Sequence, residues 1–256
     1  MSSITGIEWT QRTWNPFAGC SKVSPGCKHC YAILEAIRKH TTLAKYEGTV
    51  VTRPKPNWTG LIKFDPLALR LPCSWKAPLR IFVNSMSDLF HEQVPFDWLE
   101  RVFKVMNECP QHQFQILTKR SHILKAVASS LIWTPNIWMG VSVENADYTF
   151  RIDDLRDTPA AIKWISAEPL LGPLDDLDLT GIHWVVTGGL SGGDAPRRPQ
   201  DTNLADWVRS IRDQCAASRV AFFHKQWGGR KGRKKVNGKM LDDQEWMEYP
   251  VTGDKS

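Results

Sequence analysis

Cys20, Cys27 and Cys30 stand within eleven residues, in Gly19-Cys-Ser-Lys-Val-Ser-Pro-Gly-Cys-Lys-His-Cys-Tyr31, and make up half of the chain's six cysteines. Clustered thiols ligate zinc, ligate an iron–sulfur cluster, run redox exchange or fill a core. The spacing C-x6-C-x2-C, with Gly19, Pro25 and Gly26 to turn the backbone, lets three sulfurs fold round one centre. Lys22 and Lys28 stand where they favour thiolates. A structural zinc takes four protein ligands, and the fourth here would be His29, inside the C-x2-C, or the distant Cys73, Cys109 or Cys215. Cys109 precedes Pro110 after a helical pattern and Cys215 lies in an apolar helical stretch, so both read as structural. Three thiols without a fourth suit a [4Fe–4S] cluster with one iron left open for another ligand.

Alternating elements must position that loop. A first strand is expected over Thr10–Asn15, ahead of the cysteines, and a helix from about Tyr31 to Tyr46 after them. Further apolar strand runs are Arg80–Asn84, Phe114–Thr118, Asn136–Ser142, Ala161–Ser166, His183–Thr187 and Arg219–Phe223. Helical patterns cover Phe96–Asn107, Ser121–Ser129 and about Asn203–Ala217. Continuous apolar strands alternating with helices predict an α/β fold with parallel strands covered on both faces. Nearly every strand ends in polar residues, such as Asn84 to Asp88, Thr118-Lys119, Ser142 to Glu144, Ser166 to Glu168 and Lys225-Gln226. Barrels carry their sites on that rim, so the expected architecture is a partial or full (β/α) barrel. A Pro-rich stretch around 48–79 reads as an irregular insertion. The expected organisation is one barrel-like domain over 1–229 holding the cysteine loop 19–31, then a basic and afterwards acidic tail over 230–256.

Composition narrows the classes. With 42% hydrophobic and 23% charged residues among 256, this is ordinary globular material and not a disordered chain. No run approaches the roughly 18 apolar residues of a membrane span, so no membrane partner is expected. Met1 to Trp9 shows neither the basic nor the apolar region of a secretory signal, and a reducing, cytoplasmic location is expected. The net charge of +6 leans toward an anionic partner, and between Arg219 and Lys239 there are eight Lys or Arg and no acid. Arg230, Lys231, Arg233, Lys234 and Lys235 are the candidate nucleic-acid contacts within it, a solvated face being the alternative. Of twelve tryptophans, Trp58, Trp75 and Trp227 sit in loop-like segments where a ring can stack on a base.

The chain resembles a phage-associated family of unknown function, found in prophages and described by its three-cysteine motif. The matching segments include Ile7-Glu-Trp-Thr10, Thr13-Trp-Asn-Pro16, Gly19 to Tyr31, Phe82 to Phe90, Gln115 to Arg120, Gly140 to Glu144, Ser166 to Gly172, Trp207 to Asp213 and Phe222 to Gly228. That family is distantly similar to radical S-adenosylmethionine enzymes, in which a cluster loop follows the first strand of a partial barrel. The usual spacing there is C-x3-C-x2-C; here the first gap is three residues longer, and His29 replaces the usual aromatic. Where the family tends to read Gly-Gly-Glu-Ser-Gly, this chain has Gly188-Gly-Leu-Ser-Gly192, so Leu190 replaces a carboxylate.

The resemblance gives the strand ends expected roles. Asn84 and Asp88 fall where that superfamily binds the methionine amino group, and Ser142 and Glu144 are placed for ribose hydroxyls. Gly188 and Gly189 permit close backbone approach to cofactor, and Arg197 and Arg198 suit phosphate. Lys119 and Glu168 are the expected catalytic side chains. No Gly-x-Ser-x-Gly elbow or His-Glu-x-x-His pair is present, so hydrolase chemistry is not expected. The expected function is an iron–sulfur enzyme of radical S-adenosylmethionine type, modifying or repairing a nucleic acid or nucleotide. It would require an electron donor, and its partners include a protein encoded nearby. The alternative is a non-catalytic nucleic-acid-binding protein with structural zinc.

Overall fold

Apolar β-branched and aromatic runs between turns become strands, and amphipathic runs become the helices that cover them. The structure is a computed structural model and describes residues 5–192, 194–230 and 234–251. Among these, β1 (Arg12–Trp14) and β2 (Phe17–Ala18) precede the cysteine loop, and α1 (Tyr31–Lys39) follows it. The next stretch holds β3 (Val50–Val51), β4 (Asn57–Trp58), β5 (Lys63–Phe64) and α2 (Pro66–Leu69). Then come β6 (Arg80–Val83), α3 (Phe96–Asn107), β7 (Gln113–Thr118), α4 (Ser121–Val127), β8 (Ile137–Ser142) and α5 (Phe150–Arg156). The last elements are β9 (Ile162–Ala167), β10 (Trp184–Gly188), α6 (Leu204–Ser218), β11 (Ala221–Gln226) and α7 (Lys234–Asn237).

Seven strands form one sheet in the order β1-β6-β7-β8-β9-β10-β11, with parallel registers such as Thr13 opposite Phe82 and Val185 opposite Phe222. Spatial order equals chain order, and β1 and β11 stand at the two ends, which is the topology of a partial (β/α) barrel. Every residue of β8 and β10 is buried, as strands covered on both faces require. The stretch 48–79 is more regular than its composition implies: β3 pairs with β4, β5 pairs back to β2, and Asp65 caps α2 by accepting from Leu67 and Ala68 N–H.

Two boundaries and one element differ from the sequence expectation. α1 stops at Lys39, whose carbonyl accepts from the N–H groups of Thr42 (3.1 Å) and Leu43 (2.9 Å) and from the Thr42 hydroxyl (3.2 Å), and only a 3-10 turn at Ala44–Tyr46 remains of the longer helix. Arg219 is not a strand residue. It ends α6 in the left-handed conformation (φ 56°) with Val220 N–H on the Cys215 carbonyl (2.9 Å), and β11 starts two residues later. α5 is an element that the sequence reading does not contain.

By internal contacts the chain divides into two compact units, Met1–Met139 with Asp157–Ala161, and Gly140–Arg156 with Ile162–Ser256. In the first, buried Trp14 packs on Phe114 (5.7 Å between ring centres) and donates its indole N–H to the Ala68 carbonyl (2.8 Å). In the second, Trp164 packs on Trp184 (5.2 Å), and Tyr249 lies against Trp184 and Phe223. The Trp164 ring occupies the space beside Gly140, where a Cβ would fall 2.3–2.6 Å from three ring atoms.

Gly→Ala in a strand ordinarily stabilises, by up to about 1 kcal/mol. At Gly140 the ring blocks the added methyl, so Gly140→Ala is expected to destabilise by about 1–3 kcal/mol in urea unfolding, with Trp164 fluorescence altered. A neutral or stabilising result would contradict this packing.

Candidate metal centre

Within the first unit, the cysteine loop leaves the end of β2 through Gly19, whose φ of 97° favours glycine. A Cβ there would lie 2.0 Å from the Leu61 carbonyl oxygen, so the loop and the 48–79 stretch meet backbone to backbone. Cys27 ends a 3-10 turn begun by Pro25, its sulfur 3.7 Å from the Ser24 hydroxyl. Cys30 is the residue from which α1 starts. Cys20 and Cys30 pack against an apolar wall of Ala18, Ala32, Ile33, Ala36, Tyr46, Trp58 and Met86. The three thiols are close enough that Cys27 and Cys30 each raise the pKa of Cys20, and Cys27 that of Cys30.

Behind Cys20 lies Arg120, 1% exposed, just past the end of β7. Its Nε donates to Glu92 Oε2 (2.8 Å), Nη1 to Asp88 Oδ2 (3.1 Å) and to the Cys20 sulfur (3.8 Å), and Nη2 to the Ser21 carbonyl (3.3 Å) and hydroxyl (2.6 Å). Asp88 also accepts from the Thr118 hydroxyl (2.7 Å) and from the N–H groups of Phe90 (3.0 Å) and Lys119 (3.1 Å). Buried His91 completes the group. Its Nδ1 accepts from Gln93 N–H (3.1 Å), so Nε2 carries the proton and donates to the Ser21 hydroxyl (2.9 Å).

The electrostatics follow from burial. Burial pushes the Cys20 thiol up to about 12; the Asp88 carboxylate adds to this and Arg120 opposes it. Burial also raises Cys30, against the backbone N–H groups of Ala32 and Ile33 and the Trp58 side chain. A protonated, desolvated thiol is the opposite of a redox or nucleophilic cysteine, whose pKa is depressed. Burial, then Arg120, lowers His91, which stays neutral. For Glu92 burial, the largest single influence, works upward, but the Arg120 hydrogen bond, its own backbone N–H and the charges of Arg120 and His91 together outweigh it and the net shift is down.

Among the described residues, no group of three or more His, Cys, Asp or Glu is arranged to hold a single metal ion. Of the distant cysteines, Cys73 and Cys109 meet each other (sulfurs 2.7 Å apart), and Cys215 is buried on α6 in the second unit. Two polar groups after β6 lack a partner. Asn84, in the left-handed region (φ 58°), accepts from Phe17 N–H through Oδ1 (3.3 Å), which leaves its buried Nδ2 without an acceptor. The buried Ser87 hydroxyl is also unmatched. Cys20 and Cys30 against an apolar wall, Cys27 near them and one guanidinium on a sulfur are sulfur donors of the kind a cluster takes, and the two unmatched polar groups lie on the segment that carries Asp88.

In the second unit the polar strand ends are mostly closed by internal partners. Ser142 is buried, and its carbonyl accepts from Arg151 Nη1 (2.8 Å). Glu144 is fully buried and paired with Arg151 of α5 (2.9 Å), whose guanidinium lies over Tyr148 (4.3 Å). Glu168 pairs with Lys225 of β11 (2.8 Å) and accepts from the Ser166 hydroxyl (3.2 Å). Gly188 makes room for that carboxylate: a Cβ there would fall 2.6 Å from Oε1. Gly189 passes the Trp227 carbonyl at a distance no Cβ allows and exchanges hydrogen bonds with Gln226. Leu190 is half-buried, Arg197 is exposed, and Arg198 pairs with Asp201 (2.9 Å). His224 is enclosed on β11, with Thr187 Oγ1 at 2.9 Å and Trp227 beside it. Burial lowers its pKa from 6.5 to about 3.

Lys119 is half-buried beside Thr118. Lys22 and Lys28 are exposed. The cation at the thiols is Arg120, which the sequence reading quotes only within a segment. Strand parity points to it, because Phe114, Ile116 and Thr118 are all buried and Arg120 continues the series, whereas on the other parity Gln113, Leu117 and Lys119 are half-buried and Gln115 alone is enclosed. Trp58 and Trp227 are buried, not stacking surfaces, and Trp75 is half-buried under the Arg12 guanidinium (5.1 Å). Of the basic run, Arg230 is exposed, with Nε 3.4 Å from the Ala195 carbonyl, and Lys239 pairs with Glu245 (2.9 Å). Lys231 and Arg233 lie outside the described residues, and the backbone puts Lys234 and Lys235 on α7.

One family model, described as a protein of unknown function (DUF5131), matches residues 4–250. No curated protein and no solved structure matches the chain.

The buried titratable groups set two expectations. Arg120→Met strands the Asp88 carboxylate and is expected to cost about 3–5 kcal/mol, most of it recovered in the Asp88→Asn/Arg120→Met double variant. Additive losses in that cycle would mean that the two groups are not coupled. His224 stays neutral in the fold down to about pH 3, while the unfolded chain takes up its proton near 6.5, so acidification between those values favours unfolding. His224→Gln is expected to flatten the stability profile in that window by about 1.4 kcal/mol per pH unit, the slope for one proton. An unchanged profile in chemical denaturation at several pH values would rule out His224 as its source.

Proposed function

This chain belongs to that family, and we propose that it is an iron–sulfur enzyme of radical S-adenosylmethionine type, with Cys20, Cys27 and Cys30 holding a [4Fe–4S] cluster that keeps one iron open. The observation that carries the reading is the convergence of three thiols in one loop after β2, with a fully hydrogen-bonded, buried Arg120 donating to one of them. Such a cluster, when bound, supplies one-electron reduction of S-adenosylmethionine and so the means to abstract a substrate hydrogen.

The chain's own residues divide the remaining work. Arg120 anchors Cys20 and offsets the negative charge that three thiolates bring to an apolar wall. Asn84 Nδ2 and Ser87 Oγ offer hydrogen bonds to the polar end of a small ligand beside the loop, while Asp88, with its donors already supplied, holds Arg120. Trp58 and Met86 belong to the apolar wall on which Cys20 and Cys30 pack. A nucleic acid or nucleotide substrate is supported by the net charge of +6 and the cation run from Arg219 to Lys239. The reaction also needs an external electron donor.

Anaerobic reconstitution is expected to give about four irons and about four sulfides per chain, fewer in Cys27→Ala. The reduced protein is expected to show a [4Fe–4S] paramagnetic resonance signal that shifts when S-adenosylmethionine is added. Stoichiometric zinc without iron would replace this reading with a structural metal site. A cluster indifferent to S-adenosylmethionine would leave iron–sulfur binding and remove the radical chemistry.

A further inference from the structure

Two cysteines outside the candidate metal centre form a second thiol site. Cys73 is exposed on the 3-10 turn Leu71–Ser74, and Cys109 is buried just after α3. They are 36 positions apart in sequence, and their sulfurs lie 2.7 Å apart.

The backbone on both sides is fixed. Cys73 N–H and Trp75 N–H bond back within the turn, to the carbonyls of Arg70 (3.2 Å) and Pro72 (3.1 Å). The Asn136 amide spans the carbonyls of Met106, Cys109 and His112 (3.1, 3.3 and 3.0 Å), clamping the turn after α3. Buried His112 reaches the Pro72 carbonyl (3.0 Å), and Arg70 pairs with Glu108 (2.9 Å), so the segment around one cysteine is tied to the segment around the other at two points.

We propose that Cys73 and Cys109 are a reversible disulfide site, oxidised by small-molecule disulfides such as oxidised glutathione. The Cys73 sulfur loses its proton to solvent and attacks one glutathione sulfur; a mixed disulfide forms as the glutathione S–S bond breaks and one thiolate leaves. Cys109 then gives up its proton and attacks the Cys73 sulfur, expelling the second glutathione thiolate. The protein loses two electrons and two protons, and one oxidised glutathione becomes two reduced ones. The order of attack follows from exposure. Burial, with the Cys73 hydrogen bond, pushes Cys109 up to about 12, so it keeps its proton at first, whereas Cys73 meets solvent. The bridge closes a loop that contains β6, Asn84, Asp88 and Glu92, the segment that supports Arg120.

The test is peptide mapping of the full-length reduced protein after anaerobic exposure to oxidised glutathione and alkylation. The expected product is a Cys73–Cys109 peptide two hydrogens lighter than the free pair, reversed by dithiothreitol, with the oxidised protein melting about 5 °C or more higher. Cys109→Ser is expected to stop at a mixed disulfide on Cys73, and Cys73→Ser, at an exposed position, to leave Cys109 unmodified. Wild-type protein that also stops at the mixed disulfide, or that links Cys73 between two chains, would overturn the proposal. Cys20, Cys27 and Cys30 are assayed as separate peptides, so the result is independent of whether iron, zinc or neither occupies the candidate metal centre.

Discussion

A guanidinium never loses its charge in a protein, so burying one obliges the surroundings to supply acceptors for all five of its N–H groups. Arg120 is 1% exposed, and its five contacts go to Glu92, Asp88, the Cys20 sulfur and twice to Ser21. Those acceptors come from the segment after β6 and from the cysteine loop, while Arg120 itself follows β7. The requirement to satisfy one side chain therefore fixes where three pieces of chain lie, including the thiol at one end of the C-x6-C-x2-C motif. A lysine has three donors and no planar fork, and would leave part of this set unmatched.

Much of the fold was legible because its elements are long and strongly patterned. α3 runs over Phe96–Asn107, the limits its apolar spacing implies, and six of the seven strands of the main sheet fall within a residue or two of their apolar runs. The two-residue strands β2 to β5 were not legible, since so short a ladder has no periodicity to read. α5 escaped because it is short and carries a buried arginine on its inner face, which a hydrophobic pattern scores as exposure.

The candidate site was legible in part for the same reason. Cysteine spacing is local and visible, whereas the partner that hydrogen-bonds a thiol from a hundred residues away is not. The polar strand ends were correctly located, but sequence does not distinguish a carboxylate held for a ligand from one held for the fold. Glu144 with Arg151 and Asp88 with Arg120 are closed pairs. Glu168 with Lys225 is a pair that retains some exposure, beside a glycine that gives its carboxylate room. Enclosure, not position on the rim, separates the two kinds.

An open parallel sheet has a free margin at each end, and such margins invite pairing with other chains. At β11 this chain covers its own. Residues 246–248 run back beside it, with Phe223 bridged antiparallel to Met247, His224 N–H on the Trp246 carbonyl and Glu248 N–H on the Phe222 carbonyl. The Glu248 carboxylate caps Phe222 N–H as well. Residues 246–248 thus serve as a selvedge: they give the sheet a finished border instead of a bare ladder. Any shortening or fusion that displaces them would trade a covered border for an adhesive one.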